Sequence, residues 1–226
     1  KSYQNFSEEL SNIEFSTLNI ENLELEISKQ EKELKELAAK ITESRENYAQ
    51  VLSVLIQDKL TVLELPKAKF EIKITPKELG VNGADNVEFM ISTNVSEDLK
   101  PLAKVASGGE ISRVMLAIKS IFATNDDIDT VIFDEIDTGI SGKASQSVAD
   151  EIVELSKSHQ IIIITHQAII ASKADKHFYV RKSQEDETKF EVYVLIGDNR
   201  VKALAELAGG EINEQSIEFA KSLLAQ

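Results

Sequence analysis

Thr130-Val-Ile-Phe-Asp-Glu135 and Gln160-Ile-Ile-Ile-Ile-Thr-His166 are two short apolar runs that end in polar side chains. Two glycine-rich blocks accompany them, Ala106-Ser-Gly-Gly-Glu110 before the first run and Asp137-Thr-Gly-Ile-Ser-Gly142 after it. Apolar runs of this length are typical of buried strands in parallel sheets, and apolar residues at helical spacing follow each glycine-rich block. The stretch therefore predicts an α/β unit built on a parallel sheet.

The composition is that of a folded protein with room for one sizeable domain and an appendage. The chain has 226 residues, 42% of them hydrophobic, and no cysteine. Because no apolar leader and no run of about 18 apolar residues occurs, we expect a cytoplasmic protein with no membrane partner. The net charge of −14 argues against a large basic footprint for nucleic acid on this portion, so any contacts with DNA should lie elsewhere.

The first sixty residues predict a coiled-coil arm. Steps of seven residues from Phe6 meet an unbroken apolar series: Ile13, Ile20, Ile27, Leu34, Ile41, Tyr48, Leu55 and Val62. The second seam, three residues further on at each step, contains both apolar and polar side chains. Ser, Asn and Thr in residues 11–22 favour caps and turns, so a break or hairpin within residues 15–22 is one alternative, and an ordinary long amphipathic helix is another.

The arm needs a partner helix, which the rest of the sequence does not supply. The first residue is a lysine in a polar helical pattern, so we expect the chain to begin partway along a longer protein. Pro66 should end the helix, because proline lacks the N–H that a continuing turn requires. The predicted domains are a coiled-coil return arm over residues 1–65 and a globular lobe over residues 66–226.

Short strands and helices are predicted around the central stretch. Residues 70–75 and 87–93 alternate as an antiparallel strand pair, with a turn-rich connection over residues 76–85. Further strands are expected at residues 178–181 and 190–196. A helical segment should begin at Val201, with an interruption at Gly209 and Gly210.

Ser107-Gly-Gly-Glu110 should lie at a helix N-terminus, since apolar residues at helical spacing follow it. Exposed N–H groups and the positive end of the helix dipole form an anion site there, and glycine allows a phosphate to approach the backbone. The alternative is a plain serine cap with a flexible glycine entry.

Asp134, Glu135 and His166 should meet at one edge of the sheet, because each follows a strand. In a nucleotide site Asp134 would hold Mg²⁺, Glu135 would polarise the attacking water and His166 would reach a terminal phosphate. A solvated acidic turn and a solvated histidine are the alternatives. A serine or cysteine triad is not supported, since there is no Gly-x-Ser-x-Gly and no cysteine, and the three histidines have no zinc-ligand spacing.

In this order the blocks resemble the C-terminal lobe of an ABC-type ATPase head of the SMC class, a P-loop ATPase fold with a coiled-coil arm. The resemblance covers essentially the whole chain, most specifically residues 102–117, 133–142 and 206–210. The Thr-Gly-Ile-Ser-Gly form of the second glycine-rich block is similar to that of members that act in bacterial DNA repair. The wider class carries an aspartate where this chain has Ser141, so the usual cross-dimer role of that side chain is not carried over.

The resemblance implies roles for nine residues in binding ATP and Mg²⁺. It assigns the signature motif to Ser107, Gly108, Gly109 and Glu110, and the Walker B pair to Asp134 as metal ligand and Glu135 as catalytic residue. It assigns the D-loop, with Gly139 and Ser141 near the nucleotide, to residues 137–142. His166 would be the catalytic switch histidine.

The P-loop itself is missing, because no Gly-x-x-x-x-Gly-Lys-Ser/Thr occurs in the sequence. The resemblance implies that an N-terminal lobe of the same protein carries it, and that ATP closes two heads into a homodimer. The implied function is an ATPase in repair of DNA double-strand breaks and recombination, associated with the nucleoid, with this chain inactive alone.

Two other functions are open. One is a different SMC-like repair or recombination ATPase, such as a nuclease-associated or RecF-like protein. The other is a structural tethering module without turnover, in which the arm does the work.

Overall fold

A computed structural model gives the fold of residues 2–94, 97–105, 108–123, 127–184 and 188–225, without the side chains of residues 2, 4–16, 183, 184, 188 and 189. These ranges form α-helices, β-strands and one short 3₁₀ helix at Leu102–Lys104. The helices are α1 (Ser2–Val62), α2 (Gly108–Phe122), α3 (Lys143–Leu155), α4 (Ala168–Ser172), α5 (Gly197–Gly209) and α6 (Glu214–Leu224). The strands are β1 (Lys69–Gly80), β2 (Gly83–Ser92), β3 (Lys100–Pro101), β4 (Thr130–Phe133), β5 (Gln160–Ile163), β6 (His177–Gln184) and β7 (Thr188–Leu195).

Helix α1 is a single helix, so the alternative of a break within residues 15–22 is wrong. The helix contains no glycine or proline, and its strong helix formers outweigh the cap-forming side chains near its start. The prediction that Pro66 ends the helix is also wrong. Glu64 adopts a left-handed conformation with φ +59°, and Leu65 N–H donates to the carbonyl of Leu60 at 2.8 Å. This is a Schellman turn, and it closes the helix four residues before the proline.

The chain divides into two compact units. The first comprises the arm as far as Leu52 together with Ile72–Glu88. Within this unit Asp85 is buried and accepts a hydrogen bond from Thr42 Oγ1 at 2.8 Å. It also forms an ion pair with Arg45, whose Nη1 donates a hydrogen bond at 3.1 Å. These contacts hold the start of β2 against one face of α1.

The heptad series lies on exposed surface of the arm. From residue 20 to residue 48 its side chains are between 40% and 66% exposed: Ile20, Ile27, Leu34, Ile41 and Tyr48. Apolar side chains at heptad spacing are the seam of a coiled coil. These side chains stay largely exposed in the described part of the chain, and the requirement of the arm for a partner helix remains a prediction.

Strands β1 and β2 run further than predicted, because most of the expected loop over residues 76–85 is strand. Only Val81 and Asn82 form the turn between them. Pro76 is tolerated inside β1, since the sheet has the order β1-β2-β3 and proline is accepted on an edge strand.

The second unit comprises Ser53–Glu71 and the chain from Phe89 onwards. The two strands predicted at residues 178–181 and 190–196 are β6 and β7, which pair from His177 with Leu195 to Gln184 with Thr188 and so extend further towards each other than predicted. Gly210, with φ +71°, ends α5 and produces the predicted interruption. Helices α4, α5 and α6 meet in a small core: Ala168, Ala171, Leu204, Ala205, Ala220 and Leu223.

Among the helices that the structure describes, none is both long enough and apolar enough for a bilayer crossing.

Candidate functional site

The parallel pair β4–β5 places the predicted site residues at one sheet edge. The register runs from Thr130 opposite Gln160 to Phe133 opposite Ile163, and Ile164 N–H donates to the carbonyl of Phe133 at 3.0 Å. Carboxyl ends of parallel strands meet at the same edge, which is where ligands bind in open α/β sheets. The loops that carry Asp134 and His166 therefore start side by side.

The two strands are less buried than the sequence predicts. Ile132, Ile162 and Ile164 are between 46% and 63% exposed, whereas Phe133 is 4% exposed. Successive side chains of a strand point to opposite faces of the sheet, so helices cover one face while the other is bare in the described part of the chain. The expectation of a fully buried strand at residues 160–164 is wrong for this chain.

Asp134 and Glu135 follow β4 in a strained turn. Asp134 is exposed, and its backbone carbonyl accepts a hydrogen bond from Ser112 Oγ of α2 at 2.7 Å. Glu135 is exposed and has φ +56°, a left-handed conformation that non-glycine residues adopt rarely and that is found at functional sites. The Ser112 contact ties the end of the strand to α2.

The N-terminus of α2 lies directly against the loop that follows β4. A Cβ on Gly108 would overlap Oε2 of Glu135, and a Cβ on Gly109 would lie 2.9 Å from both Cβ and the carbonyl oxygen of Thr138. Glycine at both positions therefore lets the loop after β4 pack against the start of α2, whether or not a phosphate also binds there. Glu110 follows in the first turn and is half-buried. Ser107 lies outside the described residues.

Sequence reasoning missed Arg113, which is 5% exposed in α2. Its Nη1 donates to the carbonyl of Thr138 at 3.0 Å and to that of Ile136 at 3.3 Å. Burial lowers the pKa of the guanidinium, and the negative charge of Glu110 opposes that shift. Arg113 lies one helical turn beyond Gly109 on the buried stripe of α2, but the sequence alone does not show that a charged side chain is buried there.

Asp137 is the second residue that sequence reasoning left without a role of its own. It is 2% exposed, and its Oδ2 accepts hydrogen bonds from Thr165 Oγ1 and, at 2.8 Å, from the backbone N–H of His166. The same oxygen lies 3.1 Å from His166 Nδ1. The His166 side chain is 67% exposed, so most of the ring is open to solvent while Nδ1 lies beside Asp137.

Gly139 and Ser141 lie on the solvent side of the second glycine-rich block. Both are exposed, and Gly139 has φ +75°, so this position needs glycine for its backbone conformation. The carbonyl of Ile140 between them accepts a hydrogen bond from Gln167 Nε2 at 3.2 Å. The block is therefore tied to the His166 loop, while Gly139 and Ser141 face outward.

The residues at this edge fit a magnesium ion that is held mainly by water and phosphate. Within the described ranges no group of three or more His, Cys, Asp or Glu side chains could hold a metal alone. Mg²⁺ usually binds through one or two carboxylates together with waters and substrate phosphates. The exposed carboxylate of Asp134 suits such a ligand.

The two glycines of α2 should differ in their tolerance of alanine. Gly109→Ala is expected to lower the free energy of unfolding by about 1–3 kcal/mol, because its Cβ meets the backbone of Thr138. Gly108→Ala, its matched control, meets only the flexible end of Glu135 and should cost clearly less. Urea denaturation of both variants measures the difference, and equal losses would contradict the packing described here.

The chain is similar to curated DNA repair proteins named RecN. It is 39% identical to the protein from Halalkalibacterium halodurans over 96% of this chain and 40% of that protein. It is 37% identical to the protein from Bacillus subtilis over 97% of this chain and 41% of that protein. The chain thus spans about two fifths of the length of these relatives. A scan against family models found no match.

Among solved structures, the Smc head domain with a coiled coil and joint from Pyrococcus yayanosii has the same fold. The TM-score is 0.50 at 23% identity, over 71% of this chain and 29% of the other. The likeness confirms the predicted α/β fold with a long N-terminal helix, which is the fold of an Smc head domain.

Proposed function

We propose that this RecN-like chain is the C-terminal lobe of an SMC-like ATPase head that acts in DNA repair, including repair of double-strand breaks and recombination. The observation that carries the proposal is the junction of three elements at the carboxyl edge of β4–β5. There Asp134 and Glu135 follow one strand, His166 follows the other, and the glycines of α2 touch the loop between them. In the proposed organisation residues 1–65 form the coiled-coil arm and residues 66–226 the lobe.

Each site residue has a chemical role in this proposal. Asp134 would hold Mg²⁺, which neutralises charge on the phosphates of ATP when it is bound. Glu135 would accept a proton from the attacking water, since it is exposed beside Asp134 at the end of the same strand. His166 would direct its free ring nitrogen towards the terminal phosphate or the water. Gly139 and Ser141 would face the nucleotide from the exposed side of their loop.

The P-loop is proposed to lie in another part of the full-length protein. The sequence contains no Gly-x-x-x-x-Gly-Lys-Ser/Thr, and the curated relatives are more than twice as long as this chain. The bare face of β4–β5, with Ile132 and Ile162 exposed, is a suitable place for a second lobe to pack against the sheet. The exposed heptad seam suits an antiparallel helix from the same protein.

ATP would then join two heads into a homodimer. The N-terminus of α2, with Ser107, Gly108 and Gly109, would cap the nucleotide held by the other head, and Glu110 would lie in the first turn behind it. In the present conformation the Glu135 carboxylate rests against Gly108. Because two anions repel, this side chain has to leave the helix N-terminus before a phosphate of the second head can approach. DNA would contact other parts of the protein, in line with the net charge of −14.

ATP hydrolysis by the full-length parent and by this chain tests the proposal. With Mg²⁺ present, the parent should turn over ATP, while this chain alone should show negligible turnover and no thermal shift with Mg-ATP. Addition of EDTA should abolish turnover by the parent. An inactive parent would contradict an ATPase, and a clear thermal shift of the isolated chain would contradict the division of the site between two lobes.

A tethering module without turnover is favoured by one observation, the exposed apolar seam of the arm. The two functions differ in their dependence on ATP. A tether should join its partners equally well with ATP, with ADP or without nucleotide, whereas the proposed head dimer requires ATP.

A further inference from the structure

We propose that Asp137 is a positioning residue for His166. Its buried carboxylate contacts both the backbone and the ring of His166, and these contacts fix the orientation and the tautomer of the ring. The inference deepens the proposed function, on which its kinetic consequence rests. Asp137 touches neither the water nor the phosphate in this proposal. It acts through His166.

One oxygen of Asp137 is the meeting point of the two loops that form the site. Oδ2 accepts from Thr165 Oγ1 and from His166 N–H at 2.8 Å, and lies 3.1 Å from His166 Nδ1. Because Asp137 is 2% exposed, water cannot replace these donors at low cost. Loss of the acceptor would leave two partly buried donors unsatisfied at the start of the His166 loop.

The Nδ1 contact determines which ring nitrogen is available for chemistry. A carboxylate oxygen is only an acceptor, so its position 3.1 Å from Nδ1 favours the tautomer in which Nδ1 carries the hydrogen. In the neutral ring of that tautomer Nε2 is unprotonated, and the side chain that carries it is 67% exposed. Such a nitrogen can accept a hydrogen bond from a water molecule, or donate one to a phosphate after protonation.

Further contacts hold the same two loops in register. Thr165 Oγ1, which donates to Asp137, also accepts from Gln167 N–H at 3.0 Å. Gln167 Nε2 donates to the carbonyl of Ile140, three residues beyond Asp137. From the other side, Arg113 holds the carbonyls on either side of Asp137. The carboxylate is therefore held at the centre of a network that joins α2 to the His166 loop.

The tautomer of His166 tests the inference without nucleotide. The chain has three histidines, so ¹⁵N-histidine labelling and long-range ¹H–¹⁵N spectra can assign them with single His→Gln variants. We expect a neutral His166 protonated at Nδ1. Wild-type protein with His166 protonated at Nε2, or with a mixture of tautomers, would overturn the proposal whatever happens to any variant.

Variants of Asp137 then test whether this residue determines the tautomer of His166. Asp137→Asn should keep the Nδ1–H tautomer, because the amide oxygen can accept from the same donors. Asp137→Leu should lose it, while the signals of His159 and His177 report that the fold is intact. Thr130→Val is the matched control, since it removes an exposed hydrogen bond at the opposite end of the same strands and should change nothing. Retention of the Nδ1–H tautomer in a folded Asp137→Leu protein would overturn the proposal.

In the full-length parent, Asp137→Leu should lower kcat by about 10–100-fold, by analogy with the loss of the partner that orients a metal-bound histidine. KM should change little, and Asp137→Asn should recover most of the activity. An unchanged kcat for Asp137→Leu would overturn the positioning role. Failure of the wild-type parent to hydrolyse ATP would instead contradict the proposed function, and the tautomer alone would then decide the inference.

Discussion

Glu135→Gln in the full-length parent is expected to lower kcat for ATP hydrolysis by about 10²–10⁴-fold, the contribution of a positioned general base. Glutamine has nearly the same shape as glutamate but cannot accept the proton of the attacking water. The hydrogen bond from Thr138 N–H to the carbonyl of residue 135, at 3.1 Å, joins backbone groups, so the turn should persist in the variant. The variant should therefore bind ATP normally and accumulate as a closed dimer, visible by light scattering after size-exclusion chromatography with ATP.

Glu154→Gln is the matched control for this experiment. Glu154 lies on α3, and its side chain is 66% exposed and paired with the neighbouring Lys157, away from the sheet edge. Its neutralisation should leave turnover and dimer formation unchanged. Unchanged turnover in Glu135→Gln would remove Glu135 from the mechanism, and loss of ATP binding in that variant would show that the side chain holds the nucleotide instead.

The elements that could be predicted from sequence are those whose signal is periodic and local. The heptad series identified the long helix, and the apolar runs at residues 130–135 and 160–166 identified the parallel strand pair. The ends of elements were less predictable. Pro66 is a strong local signal, yet the helix ends earlier because Glu64 accepts a left-handed conformation. Strand β1 passes through Pro76 because it lies at a sheet edge, which is a property of the tertiary fold.

In the candidate site, too, local signals could be predicted from sequence and contacts between distant segments could not. Asp134, Glu135 and His166 could be placed at one edge from sequence, since the order of strands determines where their ends lie. Arg113 and Asp137 could not be given roles, because an arginine and an aspartate become informative only when their burial and partners are known. The close approach of Gly109 to Thr138 is also a contact between distant segments, and a Gly-Gly pair alone does not show what it admits.

Lys59→Met is expected to lower the free energy of unfolding by about 2–4 kcal/mol, because it leaves the carboxylate of Glu151 buried without its cation. Lys59 Nζ lies 2.7 Å from Oε1 and 2.9 Å from Oε2 of Glu151, which is 8% exposed in α3. Lys59 itself is 35% exposed, so water can partly reach the pair, and we place the loss below that of a fully buried pair. Urea denaturation of this chain measures the loss.

The pair can be separated from the packing of the lysine stem by a double-mutant cycle. Glu151→Met should be tolerated better in the Lys59→Met background than alone, because two apolar side chains then replace two charges and no buried charge remains. Lys35→Met is the surface control. Its partner Glu31 is 3.9 Å away and both side chains are more than 60% exposed, so the change should stay within about 0.5 kcal/mol. If Lys59→Met matched this control, the contact with Glu151 would contribute nothing to the anchoring of α1 on α3.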